Sequence, residues 1–243
     1  MARACTLAVA AWMAATPAAA QEMRVDLELV LAVDVSQSVD QYEGYLQRMG
    51  YVRGLVDPRV VDTIQNGVLG RIAVTFVEWA GPELWRTVVD WRVIDSGASA
   101  AAFADALGQT GIARGIGTSI TSVLHHVITL FEDNGFDGDR RVIDVSGPNS
   151  SGGIVTYARD AVVAAGITIN GLPINNYDGG NFTLPDLDVY YRECVVGGPG
   201  AFVVAADGFE AFADAIVRKF ILEIADIRRP QPQEWGRVVP VQA

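Results

Sequence analysis

The sequence predicts an α/β fold in which helices cover both faces of a mostly parallel, six-stranded sheet. Short apolar runs alternate along the chain with segments of helical periodicity, as in folds built from strand–helix–strand units. Only one pair of apolar runs is joined by a connection too short for a parallel crossover. Half of the 243 residues are hydrophobic, which is enough for one large domain.

Six segments have the length and the apolar character of β-strands: 27–33, 71–79, 84–91, 141–146, 167–172 and 201–205. The second and third flank Gly81-Pro82 and are predicted to form an antiparallel hairpin, with the strand at 84–91 at an edge of the sheet. The other strands are separated by helical patterns, which favours parallel pairing.

Six segments have helical spacing: 42–56, 99–107, 118–131, 154–165, 187–195 and 209–227. The first is predicted to end at Asp57-Pro58, because proline disfavours a helical conformation at the residue before it. The chain shows no internal repeat and no linker. We therefore expect a single domain at 21–227, followed by a C-terminal tail at 228–243.

Residues 1–20 are typical of a secretory signal peptide. One arginine precedes an apolar stretch, and Ala18-Ala19-Ala20 offers small residues for cleavage. The alternative, a membrane anchor, is disfavoured because the apolar stretch at about 5–15 is too short to span a bilayer. The mature chain is expected in the periplasm or outside the cell. It would lack Cys5, so Cys194 would have no internal disulfide partner.

The chain is acidic, with a formal net charge of −11. Removal of residues 1–20 takes away one basic residue and no acid, which leaves −12. Such a chain would approach nucleic-acid phosphates against its own electrostatic field, so nucleic acid is not an expected partner. Cations and basic or neutral proteins fit the charge better.

Three oxygen-bearing side chains follow the first predicted strand at every second position: Asp34, Ser36 and Ser38. Alternate side chains of an extended segment point the same way, so all three oxygens are predicted to face one spot. The carboxyl ends of the strands are where open α/β sheets bind ligands. A carboxylate with hydroxyls suits Mg²⁺ or Ca²⁺ better than zinc, which prefers nitrogen and sulfur.

This stretch resembles the DxSxS motif of the von Willebrand factor A (vWA, integrin I-like) family. VIDVSG at 142–147 and AAGITINGLPI at 164–174 look like an uncharacterised, secreted bacterial branch of that family. The resemblance implies a Rossmann-like, doubly wound fold and a metal-ion-dependent adhesion site (MIDAS). In the family, the bound cation accepts an Asp or Glu from a partner protein. The resemblance therefore implies a protein-binding module that uses Mg²⁺, or Mn²⁺ or Ca²⁺.

The family's second loop contributes a threonine, which matches Thr118 in this chain. The alternative role for Thr118 is that of a helix N-cap. The family also expects an aspartate after the fourth strand, but here Ser146 is followed by Gly147-Pro148-Asn149. Asp144 is a candidate metal ligand, although it lies roughly 6.6 Å back along the strand. Otherwise it is a buried acid hydrogen-bonded within the sheet, and Asn149 or Ser150 offers a neutral oxygen. With the acid absent, weak metal binding is expected.

Two other functions remain open. The altered loop after the fourth strand is also consistent with a scaffold domain that no longer binds metal. A metal-dependent hydrolase or phosphatase is less expected, since an aspartyl-phosphate enzyme needs a second carboxylate where Ser36 stands. Zinc catalysis through histidine is disfavoured because His125 and His126, the chain's two histidines, point about 100° apart on a helix. We therefore predict a binding protein and not an enzyme.

Overall fold

A seven-stranded sheet forms the middle layer of the computed structural model, which describes residues 22–148, 154–175, 186–225 and 238–240. Its strands are β2 (Leu27–Asp34), β3 (Ile72–Trp79), β4 (Trp85–Ile94), β6 (Arg141–Gly147), β7 (Thr168–Pro173), β8 (Phe202–Val204) and β9 (Val238–Pro240). Their order across the sheet is β4-β3-β2-β6-β7-β8-β9. Two short strands, β1 (Met23–Val25) and β5 (Phe136–Gly138), form a separate parallel pair.

The predicted α/β class is confirmed. The six strands expected from the sequence are present, and β4 pairs antiparallel with β3 at one edge as predicted. The sheet also has a seventh strand that the sequence did not predict. Val238–Pro240 lies within the predicted tail and pairs antiparallel with β8. Three residues ending in a proline are too short a pattern to be distinguished from a tail, and the strand is defined by its pairing with β8.

Helices lie on both faces of the sheet, as expected. They are α1 (Gln41–Leu55), α2 (Pro58–Gln65), α3 (Gly97–Gly108), α4 (Ile120–Val127), α5 (Thr156–Ala164), α6 (Leu187–Tyr190) and α7 (Phe212–Ile224). A 3₁₀ turn at Ile128–Phe131 continues α4, and a π-helical turn at Tyr191–Val195 continues α6. One apolar core contains residues of α1, α2, α3 and α7, and the other contains residues of α4, α5 and α6. Among the described residues, none of these helices is long and apolar enough to cross a membrane.

Strand β2 is an interior strand of the sheet and is buried along its whole length. Its side chains alternate between the two cores, with Leu31 and Val33 in the α1/α7 core and Val30 and Ala32 in the α4/α5 core. Because β3 pairs on one side of β2 and β6 on the other, β2 lies where the strand order reverses. The carboxyl end of such a strand is the expected ligand site of an open α/β sheet.

Candidate metal-ion site

Asp34 is the last residue of β2, and its side chain is fully buried. Its Oδ1 atom accepts a hydrogen bond from the Ser36 amide at 2.7 Å. Its Oδ2 atom has no hydrogen-bond partner within the described part of the chain. A buried carboxylate oxygen without a partner is costly unless a proton or a cation satisfies it. This oxygen, at the carboxyl end of β2, is therefore a candidate ligand for a cation.

The hydroxyls of Ser36 and Ser38 lie beside each other, with 2.9 Å between their Oγ atoms. Ser36 is buried, whereas Ser38 is exposed to solvent. Adjacent oxygens in an octahedral magnesium shell with bonds of 2.0–2.1 Å lie about 2.9 Å apart. The two hydroxyls are hydrogen-bonded to each other at this distance, and the same spacing would suit two neighbouring ligands of one small cation. The solvent-facing Ser38 places such a cation where a partner can reach it.

The loop that carries Thr118 is joined to the DxSxS loop by backbone hydrogen bonding. The Gly115 amide donates to the Val35 carbonyl at 3.1 Å, and Gly115 pairs with Ser36 as a parallel bridge. Gly117 has φ +77°, a left-handed conformation that glycine adopts without strain. Thr118 itself is half-buried. The structure thus brings the second-loop segment to the same rim as the two serines.

Thr118 is not the N-cap of the following helix. Helix α4 begins at Ile120, and Ser119 caps it by accepting a hydrogen bond from the Ser122 amide at 3.2 Å. The sequence-based helix start at Thr118 was therefore two residues early. The positive φ of Gly117 turns the backbone just before this point, which delays the helix. The alternative role of Thr118 as a cap is excluded by this arrangement.

Glycine occupies the sheet end next to Asp34 on the β6 side. A Cβ atom on Gly147 would lie 2.7 Å from the Asp34 Cβ and 3.0 Å from its Oδ2. The preceding Ser146 is buried and accepts a hydrogen bond from the Tyr51 hydroxyl at 3.0 Å. Neither residue supplies a second carboxylate. Asn149 and Ser150, the neutral candidates, lie outside the described residues.

The structure does not bring Asp144 together with Asp34. Asp144 is buried, and its Oδ1 lies 2.8 Å from the Lys219 Nζ atom of α7. Asp144 pairs in register with Leu31, which belongs to the α1/α7 core. The arrangement matches the alternative of a buried acid held inside the fold. Lys219 also pairs with Glu223. Both residues are buried in α7, which also contains the charged residues Asp214 and Arg218, so no distinct signal of this buried network is present in the sequence.

Burial dominates the electrostatics of both acids. It raises the pKa of Asp34 from 3.8 to about 7, while the hydrogen bonds from Ser36 lower it. Burial likewise raises the pKa of Asp144, although the Lys219 ammonium opposes that rise. A cation bound at the rim would favour the charged form of Asp34. Within the described residues, no group of three or more His, Cys, Asp or Glu side chains is placed to hold a metal ion. The candidate donor set at the rim is therefore one carboxylate with hydroxyls.

A buried ionic network holds the segment 110–114, which leads to Thr118. The sequence did not predict this network. Glu78 of β3 accepts hydrogen bonds from the side chains of Arg48 and Arg86 and, at 2.9 Å, from the Ala113 amide. Arg48 also donates to the carbonyls of Leu107 and Thr110 at 2.8 and 2.9 Å. The segment 110–114 is therefore fastened to both β3 and α1. A glutamate inside the apolar run of β3 was the sequence signal for this network.

Three solved structures illustrate the fold. Proximal thread matrix protein 1 from the mussel byssus is 14% identical with a TM-score of 0.60, and the match covers 84% of this chain and 49% of that chain. The pilus adhesin SpaC from Lactobacillus rhamnosus GG is 13% identical with a TM-score of 0.59, covering 82% and 31%. A von Willebrand factor type A structure from Catenulispora acidiphila is 14% identical with a TM-score of 0.54, covering 83% and 42%. The chain thus spans about half or less of each protein.

No curated protein matches the chain. The chain does match a protein family over residues 24–228, which is most of its length and includes every strand from β2 to β8 and every helix. The solved structures share the α/β fold of this chain, and the DxSxS motif at 34–38 follows the first long strand, as the sequence resemblance predicts. The chain therefore belongs to the family described as Protein of unknown function (DUF1194), and its fold is that of von Willebrand factor A domains.

Proposed function

We propose that this chain is a vWA-type protein-binding module that holds a divalent cation at Asp34, Ser36, Ser38 and Thr118. The observation that carries the proposal is the buried Oδ2 of Asp34, which has no hydrogen-bond partner in the described part of the chain. The adjacent pair of serine hydroxyls supplies neutral ligands. Because neutral ligands leave the cation's charge uncompensated, an Asp or Glu of a partner protein completes the shell. The function is binding, not catalysis.

The comparisons support the vWA fold of the proposed module. They do not test whether this chain binds a metal. One structure of the mussel protein is described as having a zinc occupied MIDAS motif, and it is 14% identical to this chain with a TM-score of 0.59. In this chain the donor set of one carboxylate and hydroxyls favours Mg²⁺, with Mn²⁺ or Ca²⁺ as alternatives. Gly147 stands beside Asp34 and contributes no charge, so binding by the free protein is weak.

We also propose export to the periplasm or the extracellular space. This rests on the signal-peptide pattern of residues 1–20, which lie outside the described residues. The single domain at 21–227 is the unit that would act there. An acidic module with a local cation suits a protein partner that offers Asp or Glu, and it does not suit nucleic acid.

A thermal-shift titration tests the cation. Mg²⁺, Mn²⁺ and Ca²⁺ are added to the mature protein and to Asp34→Ala, with Asp62→Asn on the exposed surface of α2 as a charge-matched control. A cation at 100 times its dissociation constant stabilises the folded state by about 2.7 kcal/mol. The wild type and the control are expected to shift, and Asp34→Ala is not. An equal shift in all three proteins would contradict the assignment of Asp34.

A metal-free scaffold is the second candidate. The glycine beside Asp34 and the raised pKa of that acid favour it, since a proton could satisfy the buried carboxyl without any metal. The same titration separates the two functions. No shift of the wild type at millimolar Mg²⁺ or Mn²⁺ would select the scaffold.

A further inference from the structure

The rim around Asp34 is unusually apolar for the surface of so acidic a chain. Ten large hydrophobic residues are exposed within the described part of the chain, and six of them lie in the segments around this rim. We call these six the rim surface: Tyr42, Tyr45, Ile112, Ile116, Ile154 and Tyr157. Ile116 and Tyr157 are 82% and 76% exposed. Clustered exposed apolar side chains mark interaction sites on soluble proteins.

The topology explains this clustering. Tyr42 and Tyr45 are in the first turns of α1, directly after the DxSxS loop. Ile112 and Ile116 belong to the loop that pairs with that same segment. The Thr121 hydroxyl donates to the Ile154 carbonyl at 3.5 Å, which joins the start of α5 to the start of α4. All six side chains therefore surround one end of the sheet.

A groove of about 400 Å³ opens beside the DxSxS loop. We call it the side groove, and six of its lining residues are Val35, Val39, Gly44, Tyr45, Ile112 and Arg114. Val35 lies between Asp34 and Ser36 in the sequence, so the DxSxS loop itself forms one wall of the groove. Its volume lies within the range of pockets that bind small molecules.

The opposite wall of the side groove is rigidly held. The Ala113 amide donates to the buried Glu78 carboxylate, and the Arg114 guanidinium donates to the Gln37 carbonyl at 3.3 Å. Two charged side chains line the groove, Arg114 and the Asp40 carboxylate that caps α1, and the rest of the lining is mostly apolar. A preformed wall lowers the entropic cost of binding.

We propose that the partner is an extended acidic peptide segment whose carboxylate binds the cation while a neighbouring apolar side chain fills the side groove. This inference rests on the proposed function. It goes beyond it by assigning Ile112, Gly44 and Arg114 to recognition and by specifying the chemistry of the partner. A second copy of the chain is a poor occupant, because it would bring a net charge of −11 or −12 to the interface, whereas the proposed segment needs only one carboxylate beside an apolar residue.

Gly44 allows the groove to be filled without disturbing the fold. A Cβ atom there would lie 3.7 Å from Val39 Cγ1 and 3.8 Å from Ile112 Cγ2, which is ordinary contact. Gly44 is inside α1, where methionine favours the helical conformation more than glycine does. Gly44→Met therefore places a side chain in the groove in a folded protein. Ile112→Glu adds a repulsive charge to the same wall, and Val68→Glu, at a 93% exposed position far from the rim, is its control.

The test is selection of a displayed library of random 12-residue peptides on the immobilised full-length mature protein in Mn²⁺. Synthetic copies of the selected peptides are then measured by fluorescence anisotropy. We expect an Asp or Glu one to three positions from Leu, Ile, Phe or Tyr, and loss of binding when the acid is replaced by its amide or when EDTA is added. Gly44→Met and Ile112→Glu should weaken binding tenfold or more, and Val68→Glu should change it less than twofold.

The outcomes separate this inference from the proposed function. Acid- and metal-dependent peptides that lack the apolar residue and bind Gly44→Met normally would overturn the side groove and leave the cation site standing. Peptides that need the groove but neither acid nor metal would support the groove and overturn the proposed function. Failure to select any peptide would overturn this inference, and the cation site would then stand or fall with the Mn²⁺-induced thermal shift of the wild type against Asp34→Ala. Binding of the protein to neutral phosphatidylcholine vesicles that Ile112→Glu abolishes would overturn a peptide partner in favour of a lipid surface.

Discussion

Asp34 combines two properties that oppose each other at the scale of a single residue. Its burial favours the protonated form, and its unpartnered Oδ2 favours a cation. The sequence predicted that Asp34 lies at a strand end, because it directly follows the apolar run at 27–33. The sequence did not predict the raised pKa, which arises from complete burial in the folded chain.

The raised pKa of Asp34 predicts a pH-dependent stability that a cation removes. In EDTA the unfolded chain releases this proton near pH 3.8, whereas the folded chain keeps it to about pH 7. The folded state therefore binds more protons between these values, so stability falls as pH rises through the window, by about 4 kcal/mol at most. Asp34→Asn should not lose stability in this way. In the wild type at pH 8, saturating Mg²⁺ should recover the stability that is lost in EDTA.

Urea denaturation at a series of pH values measures this effect as the difference between wild type and Asp34→Asn. Taking the difference cancels the contribution of Asp144, whose pKa is also raised and which both proteins share. Parallel stability curves for the two proteins between pH 4 and 7 would show that Asp34 does not titrate in this range.

At the scale of elements, the sequence predicted features that neighbouring residues determine, such as helix bounds. It did not predict contacts between residues far apart in the chain. Helix α1 was expected at 42–56 and is found at Gln41–Leu55, because Asp40 and Glu43 form a capping box that the sequence encodes locally. The ionic network of Arg48 and Glu78 joins residues thirty positions apart. No periodicity reports such a pairing, since it depends on how α1 packs beside β3.

The Glu78 network predicts that losing its buried acid costs far more than losing its half-exposed arginine, Arg86. Glu78→Gln leaves the buried Arg48 without a counter-charge and should cost about 3–5 kcal/mol of unfolding free energy. Arg86→Gln should cost less than about 1 kcal/mol, because the Arg86 side chain is 42% exposed and its ion pair is partly screened. Urea denaturation gives both values, and trypsin should cleave at Arg114 faster in Glu78→Gln. Equal costs would contradict the predicted difference in stability. Unchanged cleavage at Arg114 would indicate that the network does not anchor the segment 110–114.

At the scale of the whole molecule, the proposed cation site and the buried ionic pairing lie in different parts of the fold. The rim beyond β2 carries the proposed cation site, and the α1/α7 face carries the buried pairing of Lys219 with Asp144 and Glu223. The fold class was predictable because alternation of strands and helices constrains the topology strongly. The role of Asp144 was not, because its neighbour Lys219 is 75 residues away in the sequence and reaches it only across the packed layers.

This separation predicts that stability and metal binding respond to different substitutions. Lys219→Met should cost about 3–5 kcal/mol, since it leaves two buried acids without their cation, and adding Asp144→Leu should recover part of that loss. Asp144→Asn should lower the melting temperature but keep the Mn²⁺-induced shift of the wild type, whereas Asp34→Asn should abolish that shift. Thermal denaturation of the four variants with and without Mn²⁺ measures both quantities. If Asp144→Asn removed the Mn²⁺ shift as completely as Asp34→Asn does, while Lys219→Met retained it, Asp144 would have to act at the rim. The pairing seen across the α7 face would then not describe the metal-bound protein.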